Sequence, residues 1–329
     1  MIDVTTEPIQ TIALFRALKL GDMLVFVPAL RALRAVYPKA HIAYIGLPWA
    51  REYANRYSQY IDEFIEFPGY PGLVEREYGA AAVLQFLGSM QQRKFDLVLQ
   101  MHGSGQLSNP LACLFGGLRT AGFYVPGGFC PDSDTFMPYP DDKHEIHRHL
   151  ELLNYVGIPD AGTDLEFPIT EQDRSLIDAL VPDKTRPYAV LHPGSVSGGR
   201  WPVERFAELG DWLADCGLQV VLTGSPAEAE LADRVQSLMK EQALNACGKT
   251  ELGPLAALLA SSQLVVSNDT GVAHLAVAVD APSITIFTTA DPKRWAPLEH
   301  EWHPHLLLED ASAQNVKLLA EQLLTRSTS

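Results

Sequence analysis

The chain has 329 residues, 47% of them hydrophobic and 20% charged, with a net charge of −15. That length accommodates two domains of about 100–200 residues each. The composition suits globular units with large cores, and the acidic balance excludes non-specific nucleic-acid binding by the whole chain. Cys113, Cys130, Cys216 and Cys247 are far apart and form no CxxC pair, so neither a disulfide framework nor a zinc site is signalled. No run of 18 apolar residues occurs, and MIDVTTEPIQ lacks the basic-then-apolar pattern of a secretion signal. A cytoplasmic protein is the expectation, with peripheral contact to the inner face of the cytoplasmic membrane left open. Charge is uneven. Residues 11–56 carry seven bases (Arg16, Lys19, Arg31, Arg34, Lys39, Arg51, Arg56) against two acids (Asp22, Glu52), which fits either an anionic ligand or solvated helix faces.

Along the chain, short apolar runs alternate with amphipathic segments, the pattern of parallel sheets with crossover helices. Residues 11–15 (TIALF) read as a first strand, 19–23 (KLGDM) as a loop, and 24–37 as a helix closed by Pro38. Strands are predicted at 41–45, 64–67, 95–100 and 118–123. The second of these four is short, and the third is followed by the loop His102-Gly103-Ser104-Gly105. A Pro-, Gly- and Asp-rich loop follows at 126–142, then a helix at 145–156. Residues 157–187 hold four prolines (Pro159, Pro168, Pro182, Pro187), and a linker at 166–187 is expected between an N-terminal domain of residues 1–165 and a C-terminal domain of 188–329.

The pattern then restarts. Residues 188–192 read as a strand, 193–200 as a loop and 203–215 as a helix. A strand at 219–223, a turn at 224–226 and a helix at 227–239 follow. A short helix at 253–260 precedes a strand at 263–266, and SNDTGVAHLA (267–276) turns it into a buried helix. A strand at 283–287 and an amphipathic helix at 312–324 close the chain. The fold class is α/β, with two doubly wound, Rossmann-like domains facing across a cleft and a C-terminal helix. Ligands of such sheets sit outside the carboxyl ends of the strands. The loops at 19–23, 102–106, 193–200, 223–226 and 267–271 are therefore the candidate ligand sites.

Asp22 fits an N-cap, since carboxylates are favoured at helix starts, or a general base that takes a proton from a substrate hydroxyl. The glycine- and serine-rich run HPGSVSGGRWP (192–202) offers backbone N–H groups, hydroxyls such as that of Ser195 and the Arg200 fork to an anion. In Thr223-Gly224-Ser225-Pro226-Ala227-Glu228, Glu228 is either a cap or an acceptor for sugar hydroxyls. Asp269, Thr270 and Gly271 crowd a helix start, where backbone N–H groups suit an anion. His274 lies one turn further on, as a core residue or a ligand-site residue. The histidine clusters at 144–149 and 300–305 lack the helical zinc spacing, so no metal is expected. No G-x-S-x-G nucleophile elbow occurs.

Together the motifs resemble glycosyltransferase family 9, which contains the ADP-heptose:lipopolysaccharide heptosyltransferases. ALKLGDMLVFVPALRALRAVYP (17–38), LHPGSVSGGRWPVERFAEL (191–209), VVLTGSPAEAELADRV (220–235) and LLASSQLVVSNDTGVAHLAVAVDAPSITIF (258–287) carry the likeness. LRTAGF (118–123) and HRHLELLNYVGI (147–158) echo it. The resemblance implies a GT-B fold. Its C-terminal domain holds a nucleotide-sugar through Gly194, Ser195, Arg200, Thr223, Gly224, Glu228, Asp269, Thr270, Gly271 and His274. Its N-terminal domain holds an anionic glycan or glycolipid acceptor, such as the lipopolysaccharide inner core, through Lys19, Gly21 and Arg119. Transfer is inverting and uses no metal and no cofactor, with Asp22 deprotonating the acceptor hydroxyl. One departure stands out: many members carry Lys two positions before the Trp-Pro pair, where this chain has Gly199. A nucleotide-sugar epimerase on the same fold and a non-catalytic nucleotide-sugar-binding protein are the alternatives. A nicotinamide dehydrogenase is disfavoured by the missing glycine fingerprint.

Overall fold

The computed structural model describes residues 8–181, 183, 185–195 and 199–327. Two compact units divide the chain, Met1–Asp164 and Leu165–Ser329. The region expected to be a linker goes with the second unit. Its helix Glu171–Ile177 is opened by a Thr170–Asp173 capping box and packs on the helix Leu252–Ala260. Pro182, Lys184 and the stretch Val196–Gly198 lie outside the described residues.

In the first unit six strands are β1 (Thr11–Phe15), β2 (His41–Gly46), β3 (Glu63–Glu66), β4 (Leu97–Gln100), β5 (Arg119–Tyr124) and β6 (Phe136–Pro138). All pair in parallel, in the order β3-β2-β1-β4-β5-β6. The second unit has β7 (Tyr188–His192), β8 (Gln219–Leu222), β9 (Leu244–Asn245), β10 (Leu264–Asn268), β11 (Ser283–Phe287) and β12 (His305–Leu307). Its order, β12-β11-β10-β7-β8-β9, is the same path read from the other edge, so both units follow the doubly wound 3-2-1-4-5-6 order. β1, β7, β10 and β11 are buried along nearly their whole length because helices cover both faces of the sheet.

Several elements differ from the sequence reading. The segment expected as a loop at 19–23 is a short helix, α1 (Leu20–Leu24), and the chain bends at Val25-Phe26 before α2 (Val27–Val36). The break coincides with Pro28, whose missing N–H and fixed φ suit the first turn of a new helix. The loop expected at 126–142 contains β6, and β9 and β12 were not foreseen. All three are edge strands of two or three residues, too short to carry a period. Helices α3 (Ala50–Arg56), α4 (Ala80–Arg93) and α5 (Ser108–Cys113) fill the crossovers of the first unit, and α6 (Glu145–Tyr155) packs on α2.

The second unit continues with α7 (Glu171–Ile177), α8 (Val203–Asp215), α9 (Ala229–Leu238), α10 (Leu252–Ala260), α11 (Gly271–Ala278), α12 (Pro292–Trp295) and α13 (Ala313–Ser327). Its core gathers Leu191, Phe206, Leu222, Val266, Ile284 and Val316 around the fully buried Trp201. Trp201 donates its indole N–H to the carbonyl of Ala311 at 2.6 Å, so the end of the 193–201 loop is fixed to the chain ahead of α13.

Candidate active site

In a doubly wound sheet the two loops flanking the reversal of strand order diverge and leave a ligand site. In the first unit these are the loops after β1 and β4; in the second, those after β7 and β10. Asp22, Gly194, Ser195, Arg200, Asp269, Thr270 and Gly271 all lie in or directly after these loops.

Asp22 sits in the first turn of α1 and is not its cap. Lys19 holds the N-cap position and makes no side-chain cap bond. Gly21 precedes Asp22 within the helix, and Lys19 is exposed. The Asp22 side chain is 24% exposed, with Oδ1 3.6 Å from Nη2 of Arg16. Arg16 is completely buried. Its Nε donates to the backbone carbonyl of Asp22 at 3.0 Å and its Nη1 to that of Met101 at 2.6 Å. Its Nη2 is 3.4 Å from Oε1 of buried Glu145, the first residue of α6. Tyr44 donates its hydroxyl to the Arg16 carbonyl, and Tyr53 donates to that of Met23 at 2.8 Å. The short helix bearing Asp22 is thus held from three neighbouring elements.

After β4, His102 stacks on Phe15 and its Nδ1 accepts the N–H of Ala17 at 3.2 Å. Burial, reinforced by the charge of Arg16, lowers its pKa to about 3, so the ring is neutral. The loop turns back through Gly105, whose φ of +87° suits glycine and whose Cα abuts the Phe123 carbonyl and the Asn109 side chain.

Arg119 does not join this group. It opens β5 opposite Leu97, at the amino end of the sheet, whereas Lys19 and Asp22 follow the carboxyl end of β1. A side chain at the start of a strand cannot share a site with loops at the far end of its neighbour.

In the second unit two adjacent residues organise the loops. Asn268, fully buried at the end of β10, accepts the N–H of Trp201 at 2.8 Å and donates to the carbonyls of Pro193 and Gly194 at 2.9 and 3.1 Å. Asp269 accepts from the N–H and hydroxyl of Thr288 at 3.0 and 2.8 Å and from the N–H of Ala290 at 3.2 Å. Its carboxylate therefore holds the 288–290 loop. Thr270 caps α11, its hydroxyl accepting the N–H of Val272 at 3.2 Å. Gly271 is the first helical residue, and the ring of His274 lies 6.0 Å from that of Trp295.

Glu228 forms a capping box with Ser225, whose N–H and hydroxyl both reach Oε2 at 2.8 Å. Its other oxygen lies so close to Gly194 that a Cβ there would overlap it. Burial raises the Glu228 pKa, but the Ser225 bonds and the charges of His192 and Arg200 bring the net value below the usual range. Thr223 is buried and its hydroxyl meets Nδ1 of His192 at 3.0 Å. Burial lowers the His192 pKa to about 4, against the opposing pull of Glu228. Gly224 lies against the Cys247 thiol. Arg200 is exposed and donates to the Ser195 carbonyl at 3.2 Å. Gly199 packs so closely that a Cβ would lie 2.8 Å from Thr288 Oγ1 and Thr289 Cγ2.

Glu145, Asn268 and Thr288 escaped the sequence reading, and Arg16, counted there among the bases that could meet an anionic ligand, is instead fully buried. A base directly after an apolar strand was the available sign for Arg16. Among the described residues no three His, Cys, Asp or Glu side chains converge on a metal-sized site.

A family model described as glycosyltransferase family 9 (heptosyltransferase) matches residues 83–322. Lipopolysaccharide heptosyltransferase 2 of Salmonella typhimurium is 26% identical over 303 residues, 85% of this chain and 83% of that protein. Lipopolysaccharide heptosyltransferase 1 of Escherichia coli K12 is 37% identical over 153 residues, 46% of each. The crystal structure of a family 9 glycosyl transferase from Veillonella parvula superposes with a TM-score of 0.85 at 23% identity, over 96% of this chain and 98% of that one. The structure of E. coli ADP-heptose lps heptosyltransferase II gives 0.79 at 23% identity, over 97% and 100%. Two six-stranded parallel sheets in one strand order agree with the fold of these structures, and the chain belongs to glycosyltransferase family 9, the heptosyltransferase family.

Proposed function

We propose that this protein transfers a heptose from ADP-heptose to the inner core of lipopolysaccharide, with inversion at the anomeric carbon. The observation that supports it most strongly is the placement of chemistry at the strand-order reversals of a family 9 chain. Asp22 follows β1 in the first unit; Arg200, Thr270 and Gly271 follow β7 and β10 in the second. In this reading Asp22 accepts the proton of the acceptor hydroxyl as it attacks the anomeric carbon. Lys19 and Gly21 lie on the acceptor side. The departing diphosphate gains charge, which Arg200, the Ser195 hydroxyl and the N–H groups at the start of α11 neutralise, with no metal or cofactor. Glu228, Gly194, Thr223 and Gly224 shape the wall against the nucleotide-sugar, with Oε1 of Glu228 accepting hydroxyls. Asp269 acts through the 288–290 loop that it holds, and His274 lies one turn behind the diphosphate.

An acceptor anchored in lipid requires work at a membrane surface. The exposed apolar side chains Val74, Tyr78 and Leu84 of the first unit are compatible with that. No described helix is long and apolar enough to cross a membrane.

The test incubates the protein with ADP-heptose and a deacylated inner-core acceptor and follows heptose transfer and ADP release. Asp22→Ala is expected to lower turnover by at least about 100-fold while ADP binding, followed by calorimetry, is retained. Undiminished turnover in that variant would remove Asp22 from its role. ADP binding without any sugar transfer by the native chain would overturn the enzymatic reading.

A further inference from the structure

The histidine-rich segment 144–149 matches no metal pattern, yet the structure buries most of it directly behind Asp22. Glu145 is 3% exposed and Arg148 fully buried. Glu145 divides its carboxylate: Oε2 pairs with Nη1 of Arg148, and Oε1 faces Nη2 of Arg16 at 3.4 Å. That same nitrogen of Arg16 is 3.6 Å from Oδ1 of Asp22. One buried guanidinium nitrogen thus lies between two carboxylates, one from α1 and one from α6.

Neither end of this bridge is loose. Arg16 is tied by its Nε and Nη1 to the carbonyls of Asp22 and Met101, and its guanidinium lies 5.3 Å from the centre of the Phe26 ring. Arg148 donates to Pro140 O at 3.0 Å, Tyr139 Oη at 2.8 Å and Lys143 O at 3.2 Å. A fork anchored at this many points fixes the position of any carboxylate paired with it.

We propose that Arg16 and Glu145 are positioning residues for Asp22: the shared guanidinium aims the carboxylate, and Glu145 limits how far that positive charge weakens its hold on a proton. The proposal rests on the reading of Asp22 as the base. A base must be ionised, which a cation favours, yet must still accept a proton, which an unopposed cation disfavours. A second carboxylate on the same guanidinium offsets part of that charge.

Among the groups facing this cluster, burial keeps Tyr44, His102 and His149 from changing charge near neutrality. Tyr44 from β2 is pushed up by burial, above the ordinary tyrosine value. His102, after β4, is neutral. His149 of α6 is lowered to about 4 by burial and by Arg16; its Nε2 stands 3.3 Å from Glu145 Oε1 without forming a well-aligned hydrogen bond. Tyr53 of α3 is bonded to the Met23 carbonyl, and Lys19 lies outside, in solvent.

The test uses the full chain. The Asp22 carboxyl is titrated by carbon-13 NMR and identified by its loss in Asp22→Asn. In parallel, the single-turnover rate with ADP-heptose and the deacylated inner-core acceptor is followed against pH. Glu145→Gln keeps shape but removes the opposing charge. Its Asp22 midpoint and the acid limb of the rate are expected to fall together by about half a pH unit. Arg16→Met removes the cation, so both are expected to rise by about one pH unit, with the rate about tenfold lower or less. A structural role alone would not move them in opposite directions. If Arg16→Met does not fold, Glu145→Gln carries the test. An unmoved Asp22 midpoint in Glu145→Gln, or shifts of the same sign in both variants, would overturn the proposal. Wild-type turnover by Asp22→Asn would instead overturn the base reading, even with both midpoints shifted, and reduce the pairing to a structural one.

Discussion

The loop after β1 and the loop after β7 each leave the first strand of a six-stranded sheet with the same strand order. In the first, the arginine is completely buried and two carboxylates share it. In the second, Arg200 is exposed, its Nη2 donates to the Ser195 carbonyl, and the organising side chain is a neutral, buried Asn268. The first unit fixes a charge beforehand, as a proton acceptor with a set affinity requires. The second leaves its cation accessible and relies on amide hydrogen bonds for shape, which in the proposed function would let an anion enter and leave. One topology thus serves two electrostatic strategies.

Removing each arginine breaks the comparison most directly. Arg16→Met leaves Glu145 paired with Arg148 but strips the carbonyls of Asp22 and Met101 of a charged donor, and is expected to cost about 2–3 kcal/mol. Arg200→Met, on the surface, is expected to change stability by no more than about 0.5 kcal/mol. Its effect should appear as weaker binding of ADP-heptose. Urea unfolding and calorimetry on the same two preparations measure both quantities. Equal loss of stability in the two variants would refute the distinction.

Acid sharpens it next. His102 and His149 of the first unit and His192 of the second are held neutral by burial, with pKa values of about 3, 4 and 4. Unfolded, each titrates near 6.5. Below that pH the unfolded chain binds more protons than the folded one, so stability is full above about pH 6.5 and drains as pH falls toward 4. Each histidine accounts for a loss of about 2 kcal/mol at pH 5. His149→Leu should therefore lose about 2 kcal/mol less than the native chain between pH 7 and pH 5, as read by urea midpoints. An identical pH dependence in the two proteins would show that His149 is charged in the fold.

Gly199→Ala probes the second unit's packing. The added methyl would meet Thr288 and Thr289 at 2.8 Å, in a loop pinned by Asp269 and by the Thr288–Gly199 hydrogen bond. Overpacking of this kind costs roughly 1–3 kcal/mol. The Thr288–Thr289 segment occupies the space that any side chain at position 199 would need. A melting temperature unchanged in Gly199→Ala would show that the loop yields freely.

What the sequence disclosed divides along the same physical line. β1, β7, β11 and α8 end where their apolar runs and flanking turns predicted, because period and punctuation are local properties. Arg200 and Thr270 were legible as loop residues for the same reason, whereas Asp22, expected in a loop, lies in the first turn of α1. Arg16 and Glu145 were not paired, since 129 residues separate them and only the tertiary fold brings the chain after β1 beside the start of α6. Arg119 entered through the family resemblance alone; its place at the start of a predicted strand already set it at the end opposite the ligand loops. The short edge strands β6, β9 and β12 draw their definition from a neighbour's open hydrogen bonds, not from their own composition.

The smallest expected effect concerns the division of labour between Asp269 and Thr270. Both residue types cap helices well. In the structure Thr270 caps α11 while Asp269 turns away to hold Thr288 and Ala290. Thr270→Ala should therefore cost about 1 kcal/mol, Thr270→Ser much less, since serine restores the same oxygen. Asp269→Asn keeps the size of the side chain but weakens its bonds to the 288–290 loop, so its effect should fall on ADP-heptose binding ahead of stability. Thermal melts and calorimetry on the three variants separate the roles. A serine variant as unstable as the alanine one would mean that Thr270 acts through its methyl group, and the cap would have to be sought elsewhere.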